Sequence, residues 1–137
     1  MSEQNTVWVI DDDRSIRWVL EKALKQAGMS VQSFESGDAV LKQLQREEPM
    51  VMVTDIRMPG ISGLELLEQL NAEHPEMPVI IMTAHSDLDS AVSAYQGGAF
   101  EYLPKPFDVD EAVELVRRAL THREEQSATA EAVALEG

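Results

Sequence analysis

The sequence predicts an α/β fold, in which a doubly wound five-stranded parallel sheet carries helices on both faces. Short apolar runs alternate with stretches of helical spacing along the chain, and this alternation is typical of parallel strands joined by helices. The runs are almost continuously apolar, as strands buried on both faces are. The 137 residues suffice for one such domain with a hydrophobic core, but not comfortably for two.

Five segments are predicted as strands. We expect the flavodoxin-like order 2-1-3-4-5, which is taken partly from analogy with known doubly wound sheets, because one sequence does not determine strand order. The strands are predicted over residues 7–11, 29–34, 50–55, 79–83 and 100–103.

Five helices are predicted from apolar residues at helical spacing and from residues that begin or end helices. Gly28 is a stop signal for the first helix, and the third is expected to lie between a Ser62 cap and Pro75. The fourth has few large apolar residues and a candidate cap at Ser86. The first, second, fourth and fifth helices are predicted over 15–28, 37–47, 87–97 and 108–122, respectively.

The C-terminal residues 124–137 are acidic, rich in alanine and poor in large apolar groups. We interpret residues 1–123 as one domain and residues 124–137 as the start of an interdomain linker. Because alanine and glutamate favour helix, an extension of the last helix stays open as the alternative.

Composition excludes several classes of function. The net charge of −14, from 11 basic and 25 acidic residues, opposes direct binding of nucleic acid phosphates, although it also serves solubility. The chain has no cysteine, so disulfides and thiolate zinc sites are excluded. No apolar stretch approaches the roughly 20 residues of a membrane span, and the N-terminus lacks a signal peptide. We therefore expect a cytoplasmic location without membrane contact.

Polar residues follow four of the apolar runs at the point where each run ends. They are Asp11 and Asp12 after the first, Asp55 at the third, Thr83 at the fourth, and Lys105 after the fifth. The carboxyl ends of parallel strands lie on one edge of the sheet, where such folds bind ligands. Three carboxylates that meet there need a cation or a retained proton, and oxygen ligands alone suit Mg²⁺ or Mn²⁺.

This set of side chains has the chemistry of phosphoryl transfer. Asp55 is the candidate nucleophile, since a carboxylate can attack phosphorus and form an acyl phosphate. Lys105 would compensate charge on the phosphoryl oxygens, and Thr83 would donate its hydroxyl to another of them. Each residue alone also has an ordinary explanation as a helix cap, turn or loop residue. For the whole set, a shared site is the stronger explanation, because otherwise four runs would have to end in compatible groups by chance.

The same residues carry a resemblance to a known family. Asp11-Asp12, Asp55 followed by Met58-Pro59-Gly60, Thr83-Ala84 and Lys105-Pro106 resemble, in order and spacing, the receiver domain of two-component response regulators. The resemblance covers roughly residues 6–122. Within that family, the chain looks similar to the NtrC class of nitrogen-regulation activators, on residues 7–13, 15–18, 55–60 and 82–108.

The resemblance implies a metal site and a phosphoryl acceptor. Asp55 would accept a phosphoryl group from a histidine kinase. Asp12 and Asp55 would ligate Mg²⁺ directly, together with the backbone carbonyl of Arg57, and Asp11 would hold the ion through water. The domain would catalyse only its own phosphorylation and dephosphorylation.

The resemblance also implies a switch and a set of partners. Lys105 and Thr83 would contact the phosphoryl group, and Tyr102 occupies the position of the family's switch aromatic. We expect movement of Thr83 and Tyr102 to shift the helix predicted over 87–97. The expected partners are a histidine kinase, C-terminal output domains that activate transcription beyond this segment, and a second receiver in a homodimer.

Two other functions remain open at this point. A metal-dependent phosphohydrolase would usually carry a second aspartate two residues after its nucleophile, where this chain has Arg57. A receiver that acts only as a protein interaction module would be labelled by phosphodonors equally well after Asp55→Asn. Nucleotide binding is disfavoured because no GxGxxG motif follows the first strand.

Overall fold

The computed structural model describes residues 6–56, 60–74, 76–83 and 98–136, the last segment beyond Arg123 by its backbone alone. The described strands form one parallel sheet in the order 2-1-3-4-5, so the predicted fold and strand order are confirmed. The strands are β1 (Thr6–Ile10), β2 (Ser30–Phe34), β3 (Val51–Asp55), β4 (Val79–Thr83) and β5 (Glu101–Pro104).

Four of the predicted helices lie within the described residues, and their ends differ from the predicted ends by up to a few residues outside the C-terminal tail. The predicted helix over 87–97 and its Ser86 cap lie outside the described residues. The observed helices are α1 (Arg14–Gln26), α2 (Gly37–Leu44), α3 (Gly63–Glu73) and α4 (Val109–Glu136).

Side-chain caps begin the helices that border the carboxyl edge of the sheet. The Asp13 side chain accepts a hydrogen bond from the Ser15 amide at 2.9 Å, so α1 begins directly after the aspartate run. The predicted Ser62 cap is confirmed, and it forms a capping box with Glu65. Both caps fix where the polar loops after β1 and β3 become helix.

The helices cover both faces of the sheet, as predicted. In β1, Val7 and Val9 pack in the core beneath α1 and α4, whereas Trp8 and Ile10 pack in the core beneath α2 and α3. All four side chains are fully buried. A strand with apolar residues on both faces therefore lies inside the sheet, between β2 and β3, and this burial fixes the position of its carboxyl end.

The C-terminal segment is helical in backbone as far as Glu136, because α4 continues without a break through residues 124–136. This agrees with the alternative interpretation of a helix extension, and the alanine and glutamate content explains it. The boundary of the domain after residue 123 stays a prediction. None of the helices in the described ranges is long and apolar enough to cross a membrane.

The strand register brings the predicted site residues to one edge. Ile10 pairs with Thr54, Asp55 pairs with Met82, and Thr83 pairs with Pro104. The residues at or just beyond these pairs therefore lie next to one another across four strands.

Candidate functional site

Three carboxylates converge at the carboxyl edge of the sheet. Asp11 and Asp12 follow β1 and Asp55 ends β3, and one carboxylate oxygen from each lies within 4.8 Å of the others. Asp11 is fully buried, Asp55 is partly buried and Asp12 is exposed. This set of hard oxygen donors, open to solvent on the Asp12 side, suits a divalent cation such as Mg²⁺.

Lys105 supplies the positive charge of this pocket. Its Nζ donates a hydrogen bond to Asp11 Oδ2 at 2.9 Å and lies 3.4 Å from Asp55 Oδ2. The loop that carries it is tied to β4, since the Lys105 amide donates to the Thr83 carbonyl at 2.6 Å. The following peptide bond, Lys105–Pro106, is cis. The lysine thus bridges a buried and a partly exposed carboxylate.

The pKa values of two groups respond to this crowding. Burial raises the pKa of the Asp55 carboxyl, and the neighbouring Asp11 charge raises it further, while Lys105 and the Ile56 amide oppose the rise. Burial lowers the pKa of Lys105, but its hydrogen bond to Asp11 and the charges of Asp11 and Asp55 outweigh that effect and the pKa is raised. The Lys105 ammonium therefore stays charged. Ionisation of Asp55 is unfavourable in this setting, and a bound cation would make it more favourable.

The two predicted switch residues lie on neighbouring strands. Thr83 ends β4 and is buried, with 3% of its surface exposed. Tyr102 lies in the middle of β5, where it pairs with Ile81 and is partly buried. Thr83 thus shares the edge with the carboxylates and Lys105, and Tyr102 lies further along the sheet. The predicted ligand Arg57 lies outside the described residues.

Gly63 is a site residue that the sequence interpretation missed. Its amide donates to the Ile56 carbonyl at 2.8 Å, so the first turn of α3 lies against the end of β3. A Cβ atom at this position would clash with the Asp55 carbonyl and would lie 2.8 Å from the Ile56 Cα. The sequence signal for this close contact was a glycine at the first helical position after the Ser62 cap, because a helix does not usually require glycine there.

Arg17 is a second residue whose contact with the pocket was not predicted. From the first turns of α1, its Nη1 donates to the main-chain carbonyl of Asp11 at 2.5 Å. Only 12% of the side chain is exposed. In the sequence interpretation Arg17 lies within the helix predicted over 15–28 and within the family resemblance, but no contact with the pocket was assigned to it.

Comparison with known proteins identifies the family of this fold. Residues 7–117 match the family model of the response regulator receiver domain. The chain belongs to that family. The resemblance stated from the motif residues is therefore confirmed.

The receiver domain is similar to the corresponding part of a known regulator. It is 62% identical over 124 residues to the DNA-binding transcriptional regulator NtrC of Salmonella typhimurium. The match covers 90% of this chain and 26% of that protein, so the chain spans about a quarter of the length of its relative.

Solved structures of receiver domains agree with the fold. The solution structure of the apo receiver domain of nitrogen regulatory protein C matches with a TM-score of 0.80 at 62% identity, over 88% of this chain and 97% of that one. The BeF3-activated form of the NtrC receiver domain matches with a TM-score of 0.74 at 65% identity, over 85% and 94% of the two chains. This chain is thus a signalling receiver domain homologous to that of a transcriptional regulator.

Proposed function

We propose that this receiver domain accepts a phosphoryl group on Asp55 from a histidine kinase, and that phosphorylation controls a transcription-activating output in nitrogen regulation. The observation that carries the proposal is the position of the Asp55 carboxylate, within 4.8 Å of two other carboxylates and 3.4 Å from the Lys105 ammonium. A cluster of carboxylates alone would lack the Lys105 ammonium, and an ordinary salt bridge would lack the two additional carboxylates.

The donor set supports Mg²⁺ as the cofactor, with Mn²⁺ able to substitute. Asp12 and Asp55 are the proposed direct ligands, Asp11 the ligand through water, and the backbone carbonyl of Arg57 a further ligand. When bound, the cation would reduce repulsion between the Asp55 carboxylate and the phosphoryl oxygens. The fully buried Asp11, held by Lys105, would keep its orientation whether or not the cation is bound.

The transfer step follows from the proposed roles. An oxygen of the Asp55 carboxylate forms a bond to phosphorus while the bond from phosphorus to the imidazole nitrogen of the kinase breaks. The electron pair of the broken bond leaves with the imidazole. Lys105 compensates the charge on the phosphoryl oxygens, and the Thr83 hydroxyl donates a hydrogen bond to one of them. We infer that Thr83 and Tyr102 then change position together as the switch.

The partners are inferred from the family and from the short span of the match. Since the chain spans about a quarter of its NtrC relative, output domains that follow the receiver are proposed partners, with the kinase and a second receiver in a homodimer. The net charge of −14 supports an output that binds DNA through other segments than this one. A cytoplasmic location is part of the same proposal.

The proposal is tested by labelling with acetyl phosphate and Mg²⁺, followed by intact-mass measurement. The unaltered chain should gain one phosphoryl group and the Asp55→Asn variant none. The matched control is Asp110→Asn, which removes an exposed carboxylate in the first turn of α4 and should be labelled normally. Equal labelling of the Asp55→Asn variant would contradict the proposal. Steady hydrolysis of small phosphate esters would instead favour a phosphohydrolase.

A further inference from the structure

We propose that Arg17 is a positioning residue for the metal ligands, because its guanidinium orients the peptide that joins Asp11 to Asp12. The inference rests on the proposed function, since it assigns those two carboxylates to a divalent cation. It adds a residue from α1 to a pocket whose carboxylates and ammonium lie at or just beyond the ends of strands.

The contact fixes the peptide plane between the two proposed ligands. Arg17 Nη1 donates to the Asp11 carbonyl at 2.5 Å, and that carbonyl belongs to the peptide between Asp11 and Asp12. Because a peptide is planar, holding its oxygen restricts the rotation of the whole unit. The directions in which the two carboxylates leave the backbone therefore depend on the Arg17 contact.

The remaining polar groups of Asp11 are already occupied, which leaves Arg17 as the partner of its carbonyl. The Asp11 amide donates to the Phe34 carbonyl at 3.1 Å. Its Oδ1 accepts from the Asp13 amide and its Oδ2 from Lys105, both at 2.9 Å. Since Asp11 is fully buried, loss of Arg17 would remove the hydrogen-bond donor that the described part of the chain provides for this carbonyl.

The charge of Arg17 acts in the opposite direction to its positioning role. Its ionic partner within the described residues is Glu35, at 3.9 Å. Because the Glu35 side chain is 83% exposed, it neutralises the guanidinium only weakly. A positive charge beside the pocket should disfavour a bound cation. Removing Arg17 would therefore tighten Mg²⁺ binding if only charge mattered, and would weaken it if positioning dominates. We infer that positioning dominates.

Two substitutions and one matched control separate these effects. Arg17→Met removes charge and hydrogen bond while keeping an unbranched side chain. Arg17→Lys keeps the charge but replaces the planar fork by a single ammonium of shorter reach. Arg14→Met removes a positive charge from the exposed start of α1, where the described structure records no hydrogen bond to Asp11.

The dissociation constant for Mg²⁺ is measured by calorimetric titration of each folded variant, with phosphoryl labelling of Asp55 followed in parallel. Groups that orient metal ligands typically change affinity by about 10-fold to 100-fold when removed, and we expect Arg17→Met to raise the dissociation constant by about 10-fold. Arg17→Lys should give an intermediate value, and Arg14→Met should stay within about twofold of the unaltered chain.

The outcomes distinguish this inference from the proposed function. An Arg17→Met variant that binds Mg²⁺ as tightly as the unaltered chain, or more tightly, overturns the positioning role while the proposed function stands. An unaltered chain that neither binds Mg²⁺ nor becomes labelled overturns the proposed function and this inference with it. If Arg17→Met does not fold, Arg17→Lys decides: unchanged affinity overturns the inference, and weakened affinity with retained charge supports it.

Discussion

The two ends of the sheet handle charge in opposite ways. At the carboxyl end, Asp11, Asp12 and Asp55 bring three like charges within 4.8 Å, with the Lys105 ammonium beside two of them. At the amino end, a second cluster pairs the Glu48 carboxylate before β3 with the Arg123 guanidinium in α4, and the His74 imidazole after α3 lies beside them. An end that neutralises itself is a structural tie, whereas an end with excess negative charge is suited to an exchangeable cation.

The geometry of the amino-end cluster is that of a tie between elements. Arg123 Nη2 lies 3.3 Å from Glu48 Oε1, and its Nη1 donates to the Met50 carbonyl at 3.4 Å. His74 Nδ1 lies 3.4 Å from the same Glu48 oxygen. The cluster therefore connects α4 and the end of α3 to the start of β3. Among the described residues, this cluster sets one carboxylate against one guanidinium, so it has no excess negative charge that would favour a bound cation.

The largest effect should come from removing the Lys105 ammonium at the carboxyl end. We expect Lys105→Met to slow labelling of Asp55 by acetyl phosphate about 100-fold, since loss of one group that stabilises developing charge costs about 100-fold to 1000-fold in rate. The rate is measured by intact mass against time at fixed Mg²⁺. Lys42→Met, an exposed lysine in the last turn of α2, is the control and should leave the rate unchanged. A Lys105→Met variant labelled at the normal rate would show that the ammonium has no part in the transfer.

Mg²⁺ should stabilise the protein through the carboxyl end alone. At a free concentration about 100-fold above its dissociation constant, it should add about 2.7 kcal/mol to the free energy of unfolding. Urea unfolding with and without Mg²⁺ measures the difference, and EDTA should reverse it. Asp12→Asn should reduce the gain, because it removes an exposed member of the cluster, whereas Glu48→Gln at the other end should leave it intact. An unchanged unfolding midpoint in saturating Mg²⁺ would argue against a metal site.

The smallest effect is expected from breaking the amino-end tie. Glu48 is 40% exposed in its side chain, so its pair with Arg123 should contribute less than about 1 kcal/mol. A double-mutant cycle of Glu48→Gln and Arg123→Gln, measured by urea unfolding, gives the coupling energy. Added salt should reduce it further. A coupling well above that bound, or a changed response to Mg²⁺, would mean that the two ends do not differ as described.

The sequence predicted much of the carboxyl end because its residues are marked locally. Asp11, Asp55 and Thr83 each close an apolar run, and a parallel sheet necessarily brings such positions to one edge. Which carboxylate the lysine contacts more closely was not predictable, since Lys105 and Asp11 are 94 positions apart and their distance depends on the fold of the loop. The structure gives the shorter contact to Asp11, the buried carboxylate.

The contacts that escaped prediction depend on where helices begin and how far side chains reach. Arg17 contacts Asp11 only because α1 begins at Arg14, directly after the Asp13 cap, and turns the guanidinium back toward β1. The Glu48–Arg123 pair joins residues 75 positions apart and has no motif. In the tail, composition favoured a linker while the helix propensity of alanine and glutamate favoured continuation, and the backbone of α4 follows the propensity.

The most direct test of the central claim is to locate the phosphoryl group chemically. Borohydride reduces an aspartyl phosphate to homoserine, and peptide mass spectrometry then identifies the converted residue. After treatment with acetyl phosphate and Mg²⁺, the account predicts homoserine at position 55 alone, and none when EDTA replaces Mg²⁺. Conversion at Asp11 or Asp12, or a labelled chain without conversion at Asp55, would contradict it.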